Sequence, residues 1–147
     1  MLAKREEVRM DFTHRPQPPE QLDDFAACGI QRAEDIHSLF VSPFYFGCEA
    51  DDVFNAWAFN TSVNPFGARL QAIFGSDIGH WDVPDMREVV AEAYELVERG
   101  QVTEDDFRDF VFGNAVSFFA GTNPDFFKGT RVEGAVDKAL ARTAGIR

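Results

Sequence analysis

Phenylalanine constrains this chain more than any other feature. Sixteen of the 147 residues are Phe, about two to three times ordinary usage. Each Phe taken out of water contributes roughly 1.5–3 kcal/mol, so this much aromatic surface requires a large apolar partner. Many of the rings fall in two clusters, at 40–74 and 107–127. Either the chain folds around a generous core, or part of that surface meets another chain. With 45% hydrophobic and 27% charged residues, the composition is that of a globular chain of about one domain. It is too apolar for a disordered acidic tail.

Charge narrows the partners. The chain carries 14 basic and 25 acidic residues, a net charge of −11. A field of that sign repels phosphate backbones and argues against nucleic acid, and the basic residues do not gather along the sequence. No run approaches the roughly 18 apolar residues of a membrane span, so no membrane is expected either. Met1 to Glu7 contains no apolar signal core. Cys28 and Cys48 form no C-x-x-C pair and read as reduced thiols, which together point to the cytoplasm.

Residues 1–20 end in Arg15-Pro16-Gln17-Pro18-Pro19 and read as an extended linker. The spacing then predicts short helices over 20–28 and 33–40. Phe44 to Cys48 and Gln71 to Gly75 are short apolar runs ended by or containing glycine, and both suit buried strands. Between them, Glu49-Ala50-Asp51-Asp52 is expected to open a helix that runs to Phe59, its acids complementing the helix dipole. A further helix is expected from Asp82–Pro84 to Arg99, with Met86, Val89, Val90, Ala93, Leu96 and Val97 on one face. Thr103 and Asp106 have the spacing of a capping box, with Val102 stapled onto Phe107. The helix that follows reaches Gly121, with Gly113 as a possible break. A weaker helix lies over 136–142. Strands alternating with helices imply parallel βα units. Two parallel strands cannot stand alone with both faces covered, so the chain reads as part of something larger or as an oligomer.

The segment with most chemistry is Phe74-Gly75-Ser76-Asp77-Ile78-Gly79-His80-Trp81-Asp82. An acid just past a buried strand stands at the open end of a parallel sheet, where α/β folds assemble their sites. Asp77 is therefore a candidate metal ligand or proton acceptor, and His80 a candidate substrate contact. The same sequence also suits a plain turn whose Asp caps backbone N–H groups. Glu49, Asp51 and Asp52 follow the other strand. They read either as a solvated helix start or, for Glu49, as a substrate-facing acid on the same rim. The chain contains no H-x-H, no H-E-x-x-H, no G-x-S-x-G and no Gly-rich phosphate loop.

Over Phe44 to Asp52, Phe74 to Asp85, Asp106 to Phe110, Asn114 and Asn123 to Phe127, the sequence resembles the amidohydrolase-related family. These are metal-dependent hydrolases and decarboxylases built on a (β/α)8 barrel. The resemblance spans about residues 38–134 and is most specific from Gly75 to Asp82. It implies an α/β fold in which residues 21–147 form the C-terminal part of such a barrel, with 44–48 and 71–75 as its last two strands. It also implies that Asp77 is the last-strand aspartate that binds a divalent metal, zinc above all, or activates its water. His80, Trp81 and Glu49 would then face a small carboxylic substrate.

The family's H-x-H and its further histidine ligands have no counterpart here, and a barrel needs about 250 residues. A hydrolytic metal site needs about three protein ligands, and Asp77 with His80 does not complete one, so the expectation is a C-terminal portion with little or no activity and no metal site of its own when alone, which needs the missing barrel half or self-association. The alternative is a non-catalytic barrel remnant that serves as an interaction module.

Overall fold

The computed structural model describes residues 27–144. The linker expected over 1–20 and most of the helix expected over 20–28 lie outside the described residues. The chain divides into two units between Ile36 and His37. In the first, helix α1 (Ala33–Ile36) follows a turn at Gly29. The Asp35 carboxylate accepts from the backbone N–H groups of Gln31 and Arg32 at 3.0 and 3.2 Å. The Gln31 amide above all, helped by Arg32, outweighs the opposing effect of burial and holds this carboxyl below its usual range. The helix expected to reach Phe40 is α-helical only to Ile36, and the second unit begins with a π-helical turn, His37–Val41.

Both apolar runs form strands, β1 (Tyr45–Glu49) and β2 (Gln71–Gly75), and they pair in parallel with Tyr45 opposite Gln71 and Glu49 opposite Gly75. Alternation along the strands puts Phe46, Cys48, Ala72 and Phe74 on one face and Tyr45, Gly47, Glu49, Gln71, Ile73 and Gly75 on the other. The first face carries the core. Cys48, Ala72 and Phe74 pack with residues of α2 (Asn55–Phe59), α3 (Val89–Glu98) and Phe110. Phe110 is 1% exposed and meets Phe59 and Phe74 edge-on, at centroid separations of 6.1 and 5.8 Å. Helix α3 turns Val89, Ala93 and Leu96 inward, the i, i+4, i+7 stripe read from the sequence.

Two helices start later than expected. Glu49 belongs to β1, and Asp51 and Asp52 lie in a turn before α2. Asp52 accepts from the Phe54 amide at 2.8 Å, a local bond that competes with helix formation. Likewise Asp85 accepts from the backbone amide of Arg87 at 3.0 Å and from its guanidinium, so turns occupy 84–88 and α3 begins only at Val89.

The capping box forms as read. Thr103 Oγ1 accepts from the Asp106 amide and Asp106 accepts from the Thr103 amide, both at 3.1 Å, and they open α4 (Glu104–Arg108). A π-helical turn, Asp109–Gly113, leads into α5 (Asn114–Thr122) without a break. Gly113 therefore does not divide two helices. A Cβ there would come within 2.8 Å of Asp109 Oδ1, and Asp109 shares the Arg69 guanidinium with Asp106 at 3.0 and 2.8 Å. Arg69 in turn lies over the Phe59 ring, 4.8 Å from its centre. The tail helix α6 (Glu133–Ala144) is longer than the sequence reading.

The other face of the sheet has less cover. Gly47 and Glu49 are exposed, and nothing lies within 4 Å of where a Gly47 Cβ would stand. Phe40, Phe44, Phe54, Phe66, Phe118 and Phe126 are all exposed, so a substantial part of the aromatic surplus stays at the surface, as the composition suggested. No helix among the described residues is long and apolar enough to cross a membrane.

Candidate functional site

The register decides what meets at the sheet rim. Because Glu49 lies opposite Gly75, both strands end at one level, and their following segments emerge side by side. Two contacts hold those ends. Asn55, 4% exposed, donates from Nδ2 to the Glu49 carbonyl at 2.5 Å. At Gly75 an added Cβ would stand 3.0 Å from the Cys48 carbonyl oxygen, so the absence of a side chain lets β2 close against β1.

Beyond Gly75 the chain turns sharply. Asp77 has φ 51°, left-handed backbone that Asp and Asn tolerate better than other residues with a Cβ. The His80 amide donates to the Asp77 carbonyl at 3.1 Å, and the Val83 amide to the His80 carbonyl at 3.2 Å. This compact turn returns the His80 ring to the Asp77 carboxylate, with Nδ1 2.7 Å from Oδ2. An Nδ1–H that donates across this distance leaves Nε2 as the ring's acceptor. Asp77 is mostly covered, its side chain 24% exposed, while that of His80 is 66% exposed.

Asp82 joins them. One ligand atom from each of Asp77, His80 and Asp82 lies within 4.8 Å of the other two. Five of the nine residues that line a small cleft beside this cluster are carboxylic acids, Glu49, Asp51, Asp77, Asp82 and Glu92, and none is Lys or Arg.

Of the candidates read from the sequence, the structure brings Asp77 and His80 into contact and sets Glu49 on the same cleft. Trp81 does not join them, being 93% exposed. Asp82, expected only as a helix cap, stands within the cluster. Its signal was the Asp77-x-x-His80-x-Asp82 spacing around a glycine. Glu92 arrives from α3, and nothing near it in sequence marks it. Cys48, near the end of β1, is part-buried: burial, reinforced by nearby Asp52, pushes its thiol above the usual range, and Sγ donates to the Phe46 carbonyl oxygen at 3.4 Å.

Two carboxylates and an imidazole are a donor set that suits a borderline divalent cation such as zinc, which takes oxygen and nitrogen ligands together and in catalytic sites uses about three protein ligands. The residues present therefore fit a metal in kind and number. No family model, no curated protein and no solved structure matches the chain.

Proposed function

We propose that this chain carries the closing part of an amidohydrolase-related, metal-dependent hydrolase or decarboxylase, with Asp77 at its reaction centre. The observation that supports this reading is the meeting of Asp77, His80 and Asp82 at the C-terminal ends of two parallel strands, the end of a βα sheet where such chemistry is assembled. The parallel pairing of the two strands and the exposure of Gly47 and Glu49 on the face away from the core agree with two strands of a barrel wall.

Asp77, His80 and Asp82 would hold the divalent cation. When bound, the cation supplies Lewis acidity and lowers the pKa of a coordinated water. Asp77 contributes a carboxylate fixed by its turn, able to accept a proton at the oxygen that His80 does not use. His80 is oriented by its Nδ1 contact to Asp77. Glu49, at the other strand end, faces the same cleft and suits a polar group of a small carboxylic substrate held through the cation. In a cleft lined by five acids, an anionic substrate is repelled unless a cation stands between, which agrees with the metal requirement.

The test is a titration of the purified chain with Zn2+ and with Co2+, followed by calorimetry and by visible absorption of cobalt. One site per chain is expected, lost in Asp77→Asn, a substitution that keeps the shape and tolerates the positive φ. No Asp77-dependent binding of either ion would overturn the reading. Hydrolytic turnover by this chain without any other polypeptide would overturn the part that makes it one portion of a larger site.

A further inference from the structure

A second concave surface lies away from the rim. The π-turn and α5 form one side of it and α6 the other, and it shares no lining residue with the rim cleft. Its volume is about 740 Å3, within the range of small-molecule sites. Phe112 and Val116 line one side with apolar surface, and Leu140 adds to it from α6. Helix α6 also lines it with Ala135, Lys138, Ala139 and Arg142, one stripe at i, i+3, i+4 and i+7. The two alanines leave space between the helices that larger side chains would close if packing alone were served. At 1.5 Å per residue the stripe runs about 10 Å along the helix.

The charges in this groove are unusual for the chain. Arg32, Arg69, Arg87, Arg99, Arg108 and Lys128 each pair with a carboxylate. Among the described residues, Lys138 and Arg142 have no ion-pair partner, although acids outnumber bases 25 to 14. They stand one helical turn apart on the same face of α6. Asp109 and Arg108 line the groove as well, but each is already matched. Asp109 holds Arg69 at 3.0 Å, and Arg108 holds Asp105 at 2.8 Å. Two uncompensated positive charges therefore remain beside apolar walls.

We propose that this groove binds a small amphipathic anion, a free carboxylic acid with an unbranched apolar body about as long as the α6 stripe. The Arg142 guanidinium offers a planar fork that matches a carboxylate, and Lys138 adds a point charge beside it. The body lies along Phe112, Val116 and the two alanines. Both halves of the ligand are needed. A chain of net charge −11 repels anions at long range, so an anion gains affinity only where positive charge is local and apolar contact adds to it. An uncharged apolar molecule forgoes the two cations. This site is independent of the cation proposed at the rim.

Calorimetry of the full chain with decanoate, below its micelle range and in the presence of EDTA, tests this. EDTA strips any cation from the rim, so a carboxylate held there through metal is not counted. One site per chain is expected. Lys138→Gln with Arg142→Gln, both at exposed positions, should weaken it about tenfold or more. Ala135→Trp, also at an exposed position, keeps both cations but fills the groove, and should weaken binding comparably. Circular dichroism establishes the parent fold of each variant before affinities are compared. Decanol has the body without the charge and acetate the charge without the body, and each should bind far more weakly than decanoate. No binding of decanoate, many weak sites per chain, affinity indifferent to these substitutions, or an equal affinity for decanol or acetate would each overturn the proposal. So would binding to phosphatidylglycerol vesicles with none to free decanoate.

Discussion

Asn114 Nδ2 donates to the Ala72 carbonyl at 2.8 Å, a bond across 42 positions of chain that ties the first residue of α5 to the middle of β2. Ala72 is fully buried, so this carbonyl has no water to turn to. Loss of such a partner costs about 1–3 kcal/mol. Asn114→Ala is expected to lower stability by that amount, whereas an alanine at the exposed Gln101 should not. Urea unfolding monitored by circular dichroism checks this.

Gly75 and Gly113 both face a tight contact, with opposite consequences. At Gly75 the obstacle is backbone, the Cys48 carbonyl, at 3.0 Å from an added Cβ. That backbone cannot yield without moving β1, so Gly75→Ala should cost about 1–3 kcal/mol. At Gly113 the obstacle is the mobile end of the Asp109 side chain. Asp109 can swing away while Asp106 keeps Arg69, and alanine recovers up to about 1 kcal/mol of helix propensity. Gly113→Ala is expected to be nearly neutral, and paired thermal melts of the two variants decide the point.

Acid should weaken the fold through Asp106. Burial opposes its ionisation, but the Thr103 hydroxyl and amide and the Arg69 guanidinium outweigh burial and hold the carboxyl below its ordinary range. A folded-state pKa below the unfolded one means that the stabilisation is fully present above the unfolded value. It is lost as pH falls below about 4 toward the folded value. Melting temperatures measured down that range should fall less steeply in Asp106→Asn than in the parent chain.

Two aromatic truncations should separate core from surface. Phe110→Ala removes the ring that joins Phe59 to Phe74, at an expected cost of about 3–5 kcal/mol, enough to unfold a marginal domain. Trp81→Ala, at a fully solvated ring, should stay within about 0.5 kcal/mol. Guanidinium unfolding compares the two directly, and a large loss in Trp81→Ala would show that this ring has a partner.

Local features were legible along the chain because their causes are local. Apolar runs bounded by glycine marked both strands, and the Thr103–Asp106 spacing marked its capping box, since each depends on neighbours a few residues away. The turn starts at Asp52 and Asp85 were hidden because a side chain that bonds its own backbone looks, in sequence, like a helix-opening acid. Asp77 stood out by its place after a strand and between Gly75 and Gly79, and His80 by following three residues on. What the linear order could not tell was which distant groups would share a space: Glu49 beside Asp77 through the parallel register, and Glu92 delivered to the cleft by α3. Burial patterns and caps follow from short-range physics, whereas the electrostatic character of a cleft or groove arises only when packing sets the distances over which charges act.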